Sequence, residues 1–289
     1  MVRKLPSLYR GQALLIVLLS MAVVLTIVLS ILSRSITDVT LTTREEEALR
    51  AFSAAEAGVE QALIAGAPEG EFSGAQFSAA VTSISEGSQT FVYPIDLPAG
   101  DVATVWFVAH DADGNLVCSG SLPCFSGNTM KVCWGKPGTA NDEDVTPAVE
   151  ASIYYATTPG DYTTARIARA TADPNSGRTG TNSFDQADGG CSVEGTDYAF
   201  SSTISFSDLG VSGQLQMARL RMLYNSDTNQ PVGFDFNFAG NSPLPSQGSR
   251  VDSTGTSGDS TRRVEVFQVY SDLPPNFDSA VFSPPGLTK

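Results

Sequence analysis

The sequence predicts an α+β protein in which one long N-terminal helix packs on an all-β, disulfide-containing domain. Three observations lead to this fold class. The first is a run of 23 uncharged residues, 11–33, which is long and apolar on every face. The second is a helix-compatible continuation of that run as far as Ala65. The third is a series of short β-rich segments after Phe72, in a chain with 26 glycines and 16 prolines for turns.

The uncharged run is interpreted as a transmembrane helix, residues 12–33. At 1.5 Å per residue the run is about 34 Å long, more than the roughly 30 Å hydrocarbon core of a bilayer. A cleaved secretory signal is the alternative, but its apolar region usually has only about 7–15 residues, and no A-x-A-like site follows Ser33. The basic leader, residues 1–11, contains Arg3, Lys4 and Arg10 and no acid. The positive-inside rule therefore predicts a cytoplasmic N-terminus and an extracytoplasmic remainder.

The helix is expected to continue through residues 34–65 as an amphipathic extension. Nothing in this segment stops a helix until Gly66 and Pro68. Apolar residues recur every three or four positions and form one predicted stripe: Leu49, Phe52, Ala55, Val59 and Leu63. We therefore predict that this half of the helix lies against a folded domain. An ordinary signal anchor with a short spacer is the alternative.

Residues 72–289 are predicted to form the extracytoplasmic β-rich domain, because no second amphipathic helix is visible there. The predicted strands are 77–82, 102–110, 116–118, 130–134, 149–157, 162–171, 198–206, 215–224, 231–238, 249–252 and 263–270. The sequence NSDTNQ predicts that strands 215–224 and 231–238 form a hairpin. Segments 172–197 and 240–262 are predicted to be exposed loops, and the proline-rich C-terminal end is expected to lie extended along the domain surface.

Four cysteines lie in this domain: Cys118, Cys124, Cys133 and Cys191. Their even number and predicted location outside the membrane favour two disulfides. Zinc sites typically use closely spaced pairs such as C-x2-C, and these cysteines are farther apart, so we predict no zinc site. Three pairings are possible, and the spacing does not decide among them. We favour Cys118–Cys124 together with Cys133–Cys191.

The alternation of Asp111, Asp113 and Asn115 is typical of the start of a calcium-binding loop. The complete loop needs Glu at its twelfth position, where this chain has Leu122. We therefore predict an Asp-Gly hairpin turn instead. The acidic segment 141–144 is predicted to be a solvated loop.

The composition excludes several classes of function. The chain carries 17 Lys+Arg against 31 Asp+Glu, a formal net charge of −14, and a single histidine. An acidic chain lacks the basic patch that nucleic acid requires, so no nucleic-acid partner is expected. His110 and Asp111 are adjacent on a predicted strand, so their side chains point to opposite faces. Because no nucleophile motif or phosphate-binding glycine motif is present either, we predict no catalysis, no cofactor and no metal.

The N-terminal segments resemble the N-terminal region of PilX-like minor pilins of type IV pili. The resemblance covers about residues 8–63 and rests on the basic leader ending in glycine, the run QALLIVLL and the segment RAFSAAEAGVEQAL. In that family a prepilin peptidase cuts after the leader glycine, which implies a cut after Gly11 and Gln12 as the new N-terminus. The resemblance also implies three kinds of partner: other pilin subunits, the pilus assembly machinery and the membrane.

Two positions depart from the pattern of major pilins, which begin with an aromatic residue or Met and have Glu at the fifth mature position. Here Gln12 is first and Ile16 is fifth. In the pilin family that Glu is thought to pair with the terminal amine of a neighbouring subunit inside the membrane. Its absence is shared by PilX-like pilins and by the large tip pseudopilins of type II secretion, and it implies a rare subunit rather than a filament-forming one.

The resulting expectation is a structural subunit and not an enzyme. We expect a minor pilin or pilin-like protein that assembles through its helix and displays its β domain in priming, capping or surface display. Small residues four apart, Ala22, Thr26 and Ser30, are expected to form the helix-packing face. The expected location is the cytoplasmic membrane, single-pass with the C-terminal domain outside, and the surface pilus after assembly. Two alternatives remain: a membrane-anchored surface protein or adhesin, and a tip pseudopilin of type II secretion.

Overall fold

The computed structural model describes residues 10–274, with side chains from Ala13 onward. Most of the predicted leader and the C-terminal segment 275–289 lie outside the described residues. The helices are α1 Arg10–Ala65 and α2 Ser176–Asn182, and a 3₁₀ turn spans Tyr162–Thr164. The strands are β1 Glu69–Phe72, β2 Ala75–Ser83, β3 Thr90–Val92, β4 Val102–Trp106, β5 Ala109–His110, β6 Leu116–Val117, β7 Thr129–Trp134, β8 Ala148–Ala156, β9 Ala165–Asp173, β10 Asp185–Gln186, β11 Cys191–Val193, β12 Thr196–Tyr198, β13 Phe200–Ser205, β14 Gln214–Leu223, β15 Val232–Asp235, β16 Gly248–Ser257 and β17 Ser260–Val269.

The described chain divides into two compact units. Among the described residues, the helix unit contains residues 10–81 together with Val251–Val266. The β unit contains Thr82–Arg250 and residues 267–274. The prediction of one long N-terminal helix and a β-rich remainder with two disulfides is confirmed.

The helix unit is built from α1 and a four-stranded sheet of order β1-β2-β16-β17. α1 has 56 residues without interruption, since its apolar and helix-favouring sequence contains no proline. It ends at Ala65, where Gly66 adopts a positive φ of 63° and Pro68 follows. Strands β1 and β2 then form a tight antiparallel hairpin, with Phe72 opposite Ala75.

The β unit contains two larger sheets whose side chains meet in one hydrophobic core. One sheet has the order β10-β9-β8-β14-β4 and the other the order β13-β7-β15-β3, with short two-stranded ribbons β5-β6 and β11-β12 beside them. Large side chains from both sheets are fully buried in this core, including Phe91, Trp134, Ile153, Leu220 and Phe234, and Phe107 joins them from the residue after β4. Apart from the parallel pair β10-β9, both sheets are antiparallel, and two sheets that bury their side chains in one core are typical of a β-sandwich.

The prediction that segment 172–197 is a loop was wrong. It contains α2 and three short strands, β10, β11 and β12. The fully buried carboxylate of Asp173 organises this region, because it accepts hydrogen bonds from Arg178 Nη2 at 2.9 Å and Asn182 Nδ2 at 2.8 Å. Asn175 caps α2 by accepting from the backbone N–H of Gly177. Buried polar contacts therefore order a segment whose composition is typical of a loop.

The prediction that segment 240–262 is a loop was also wrong, because most of it belongs to β16 and β17. Ser253, Gly255 and Ser257 occupy every second position along this part of β16, and all three residues are buried. These residues are small because the backbone of α1 approaches the strand closely there. A composition rule based on large β-favouring residues misses such a strand.

The predicted hairpin of strands 215–224 and 231–238 is absent. β14 pairs with β8 and β4, whereas β15 pairs with β7 and β3 in the other sheet. The connection between them is anchored by buried Asn225, whose Nδ2 donates to the carbonyls of Leu97 at 2.9 Å and Thr228 at 3.1 Å. The segment NSDTNQ does connect the two strands, as its composition predicted, but it carries the chain from one sheet to the other.

Candidate functional site

The first part of α1 is an uncovered apolar surface. Every side chain from Ala13 to Glu46 is exposed, including the large apolar residues Leu14, Ile16, Leu25 and Ile31. The helix is long and apolar enough to cross a membrane, and its most apolar 18-residue window contains no buried residue. Exposed apolar surface of this extent indicates a contact with lipid or with other apolar helices.

The predicted packing residues Ala22, Thr26 and Ser30 lie on this surface and are all exposed. Their spacing of four residues places them on one side of the helix. The Thr26 hydroxyl donates to the carbonyl of Val23 at 2.8 Å, so its hydrogen-bonding need is met within the helix. The predicted cleavage position, Gly11–Gln12, falls in the first turn of α1.

A threonine-rich stretch, residues 36–43, follows the apolar part. Four threonine hydroxyls donate to the carbonyl four residues earlier at 2.8–3.0 Å: Thr37, Thr40, Thr42 and Thr43. Beyond it, Arg50 forms an exposed i,i+4 ion pair with Glu46 at 2.6 Å. The whole stretch is exposed to solvent in the described chain.

The last part of α1 is seated on the sheet of the helix unit through small residues. Its buried face consists of Ala51, Ala54, Ala55, Gly58, Val59 and Ala62. On the sheet side, a Cβ placed on Gly255 would overlap the carbonyl oxygen of Ala51 and lie 2.6 Å from the backbone nitrogen of Ala55. A Cβ placed on Gly58 would lie 2.8 Å from the ring of Phe77. We call these contacts, made by Ala51, Ala54, Ala55 and Gly58 with Phe77, Ser253 and Gly255, the helix seat.

The helix seat corrects the predicted apolar stripe. Ala55 and Val59 are buried as expected, but Leu49, Phe52 and Leu63 are 68%, 44% and 42% exposed. The buried face is set by the close approach of helix and strand backbones, which leaves no room for large side chains. The signal in the sequence was the recurrence of Ala and Gly at positions 51, 54, 55, 58 and 62, which share one face of the helix through spacings of three, four and seven residues. The large apolar residues form a second, uncovered face.

Both disulfides lie in the β unit. Cys118 is joined to Cys124, and Cys133 to Cys191. These are the pairs that we favoured from the sequence. The first closes a short surface loop, and the second joins β7 of a sheet to the β11-β12 ribbon.

The residues considered for calcium and for catalysis have local structural roles. Asp111 Oδ1 accepts from the backbone nitrogens of Asp113 and Asn115 at 3.0 and 2.8 Å, in the turn between β5 and β6. The hydrogen bonds from Asn115 hold the pKa of Asp111 below its ordinary value. His110 stacks on Tyr270 with ring centroids 3.9 Å apart, and burial lowers the pKa of His110.

The acidic segment 141–144 is exposed. Within residues 10–274 no cluster of three His, Cys, Asp or Glu side chains has metal-binding geometry.

Comparison of the chain with protein-family models, with curated proteins and with solved structures yields no match.

Proposed function

We propose that this chain is a pilin-like structural subunit, a minor pilin of a type IV filament, that assembles through α1 and carries its β-rich domain outside the cell. One observation supports this most strongly. A single unbroken helix has a fully uncovered apolar first part and a last part that is seated on a sheet. A helix of this kind suits a subunit that moves from the bilayer into a bundle of similar helices, since both environments accept an apolar surface.

Charge and redox chemistry support the proposed location. The leader is basic, whereas the complete chain has a net charge of −14. This asymmetry favours the N-terminus inside and the β unit outside. Two disulfides fit an oxidising compartment. Priming, capping and surface display remain the candidate roles of the displayed domain.

The absence of a carboxylate at Ile16 favours a minor role in a mixed filament. The chain cannot neutralise the terminal amine of a neighbour at this position, so it does not polymerise readily by itself. It can still pack beside subunits that bring their own Glu. A plain membrane-anchored surface protein, the alternative, would keep its leader. Mass spectrometry of the mature N-terminus in membrane and sheared-surface fractions separates the two, since the pilin begins at Gln12.

Replacing Ala22 and Thr26 with Leu is expected to reduce incorporation of the subunit into sheared filaments at least tenfold, because both side chains lie on the small-residue face. The β unit should remain folded and disulfide-bonded. Val24→Phe with Val28→Phe enlarges the opposite face by a similar volume and serves as the matched control. Immunoblots of sheared and membrane fractions give the measurement. Normal incorporation of the double Leu variant, or homopolymers formed by the purified chain, would rule out this mode of assembly.

The orientation is tested separately. A reporter enzyme that is active only outside the cytoplasm, fused after Lys289, is expected to be active, because the leader carries the excess of basic residues. The same fusion with a reporter that works only in the cytoplasm should be silent. The opposite pattern of activities would show that the chain inserts the other way round.

A further inference from the structure

The β unit contains a cleft of about 560 Å³ that the proposed assembly through α1 does not use. We call it the aromatic cleft and define it by its walls, Tyr93, Pro94, Tyr198, Pro231 and Phe267, and by its charged residues, Asp96, Glu194 and Arg250. These residues come from five separate parts of the chain, and all of them belong to the β unit. The volume is within the range of small-molecule sites in proteins.

The walls of the cleft are flat and apolar, and part of them is open to solvent. Phe267 is 44% exposed, although it is a large apolar residue on a strand. Tyr93 and Pro231 are half-buried, so they too present surface to the cleft. Exposed aromatic rings beside polar groups are typical of binding surfaces, because one face excludes water while neighbouring groups form hydrogen bonds.

The charges in and beside the cleft balance. Asp96 forms an ion pair with Lys136 at 3.0 Å. Glu194 accepts a hydrogen bond from the Thr90 hydroxyl at 2.7 Å. The guanidinium of Arg250 lies 5.8 Å from the centre of the Phe267 ring. The wall carries two carboxylates and one guanidinium, and Lys136 beside it brings the sum of these four charges to zero, so the cleft offers both acceptors and donors.

One buried hydroxyl at the cleft has no partner. Tyr198 is 3% exposed, and its Oη forms no hydrogen bond with any described residue. It lies over Gly233, where a Cβ would be 2.7 Å from the Oη atom. Burial, with Glu194 and Asp96, raises the pKa of Tyr198 to about 12, so the hydroxyl stays protonated at neutral pH. The Oη atom has almost no accessible surface and packs against Gly233, which is not part of the cleft wall, so Tyr198 contributes its ring to the cleft and not its hydroxyl.

We propose that the aromatic cleft binds a short neutral saccharide. A sugar ring has an apolar C–H face that can stack on Phe267 or Tyr93, and hydroxyl groups that both donate and accept. Glu194 and Asp96 would accept from those hydroxyls, while Arg250 would donate to them. A charged ligand is disfavoured because the charges of Asp96, Glu194, Arg250 and the neighbouring Lys136 sum to zero. This inference goes beyond the proposed assembly role and does not depend on it.

The test uses the full chain in lipid nanodiscs or in a detergent without a sugar headgroup. Saturation-transfer NMR is recorded with lactose, maltose, cellobiose and N,N′-diacetylchitobiose as probes, and with free amino acids and short peptides for comparison. At least one disaccharide is expected to bind with a millimolar or tighter Kd. If no disaccharide binds, or if the amino acids and peptides bind and the sugars do not, the proposal is overturned.

Three variants locate the binding. Phe267→Ala is expected to weaken the sugar about tenfold through loss of stacking. Glu194→Gln is expected to weaken it about fivefold through loss of a charge-assisted hydrogen bond. Tyr198→Phe is expected to leave sugar binding unchanged, because the buried hydroxyl does not face the cleft. Tyr162→Ala, which removes an aromatic ring of similar exposure, 47%, on the same unit, is the matched control. Sugar binding that is unchanged in Phe267→Ala and Glu194→Gln would place the site elsewhere and refute the assignment.

Discussion

Gly255→Val is expected to unfold the helix unit, with a loss of about 3 kcal/mol or more. The added Cβ would overlap the carbonyl oxygen of Ala51, which is a backbone atom and cannot rotate away. Valine otherwise favours strands, so the substitution would be neutral or stabilising if β16 alone decided the outcome. The expected loss of stability therefore measures the disruption of the contact between Gly255 and α1 in the helix seat. Hydrogen exchange at residues 75–81 and 251–257, together with chemical unfolding, gives the measurement.

The matched control for this prediction is Gly120→Val. Gly120 has no heavy atom within 4 Å of its added Cβ and does not have a positive φ. The Gly120→Val chain should therefore unfold at the same denaturant concentration as the unaltered chain. Exchange in the core around Trp134 serves as an internal reference within each sample. A Gly255→Val chain as stable as the control would mean that α1 does not lie where the helix seat places it.

Removing the Cys133–Cys191 disulfide with paired Ala substitutions is expected to cost about 4 kcal/mol. The bridge joins residues 58 positions apart, and cross-linking a long loop restricts the unfolded chain most. It also ties the β11-β12 ribbon to β7, whose Cys133 is fully buried. Guanidinium unfolding followed by tryptophan fluorescence measures the loss, since Trp134 is the next residue.

The second disulfide provides the comparison. Cys118 and Cys124 are six positions apart and close a surface loop, so their paired Ala substitution is expected to cost about 2 kcal/mol. The chain-entropy argument predicts that loss of Cys133–Cys191 destabilises the protein more than loss of Cys118–Cys124. Equal losses, or a larger loss for the short loop, would contradict the chain-entropy argument for this protein.

The sequence was a good guide where the signal is local. The bounds of α1 follow from an uninterrupted apolar and helix-compatible run that ends at Gly66, and the structure agrees with them. The hairpin turn at Asp111 follows from a short motif and is present. Each of these features is determined by residues that are close together in the chain.

The features that were missed depend on distant contacts. The partners of β14 and β15 are set by which sheet each strand enters, and no turn motif carries that information. The helix seat uses small residues because Gly255, about 200 residues later, brings its backbone against Ala51. The aromatic cleft gathers residues from five parts of the chain, so no local pattern could have indicated it. The exposed apolar first part of α1 could be predicted from the sequence alone, because an apolar helix needs no tertiary contact to be recognised.

The threonine-rich stretch has a mechanical consequence for α1. Seven of the eight residues 36–43 are β-branched or Asp, and each disfavours a helix by about 0.5 kcal/mol relative to Ala. Hydroxyls that bond back to the preceding turn also tend to bend a helix. No described side chain covers this stretch to offset the cost, whereas the residues from Ala51 onward are held by the sheet. Residues 36–43 are therefore the most easily deformed part of the described helix. Bending or local melting of α1 under a pulling force would begin there.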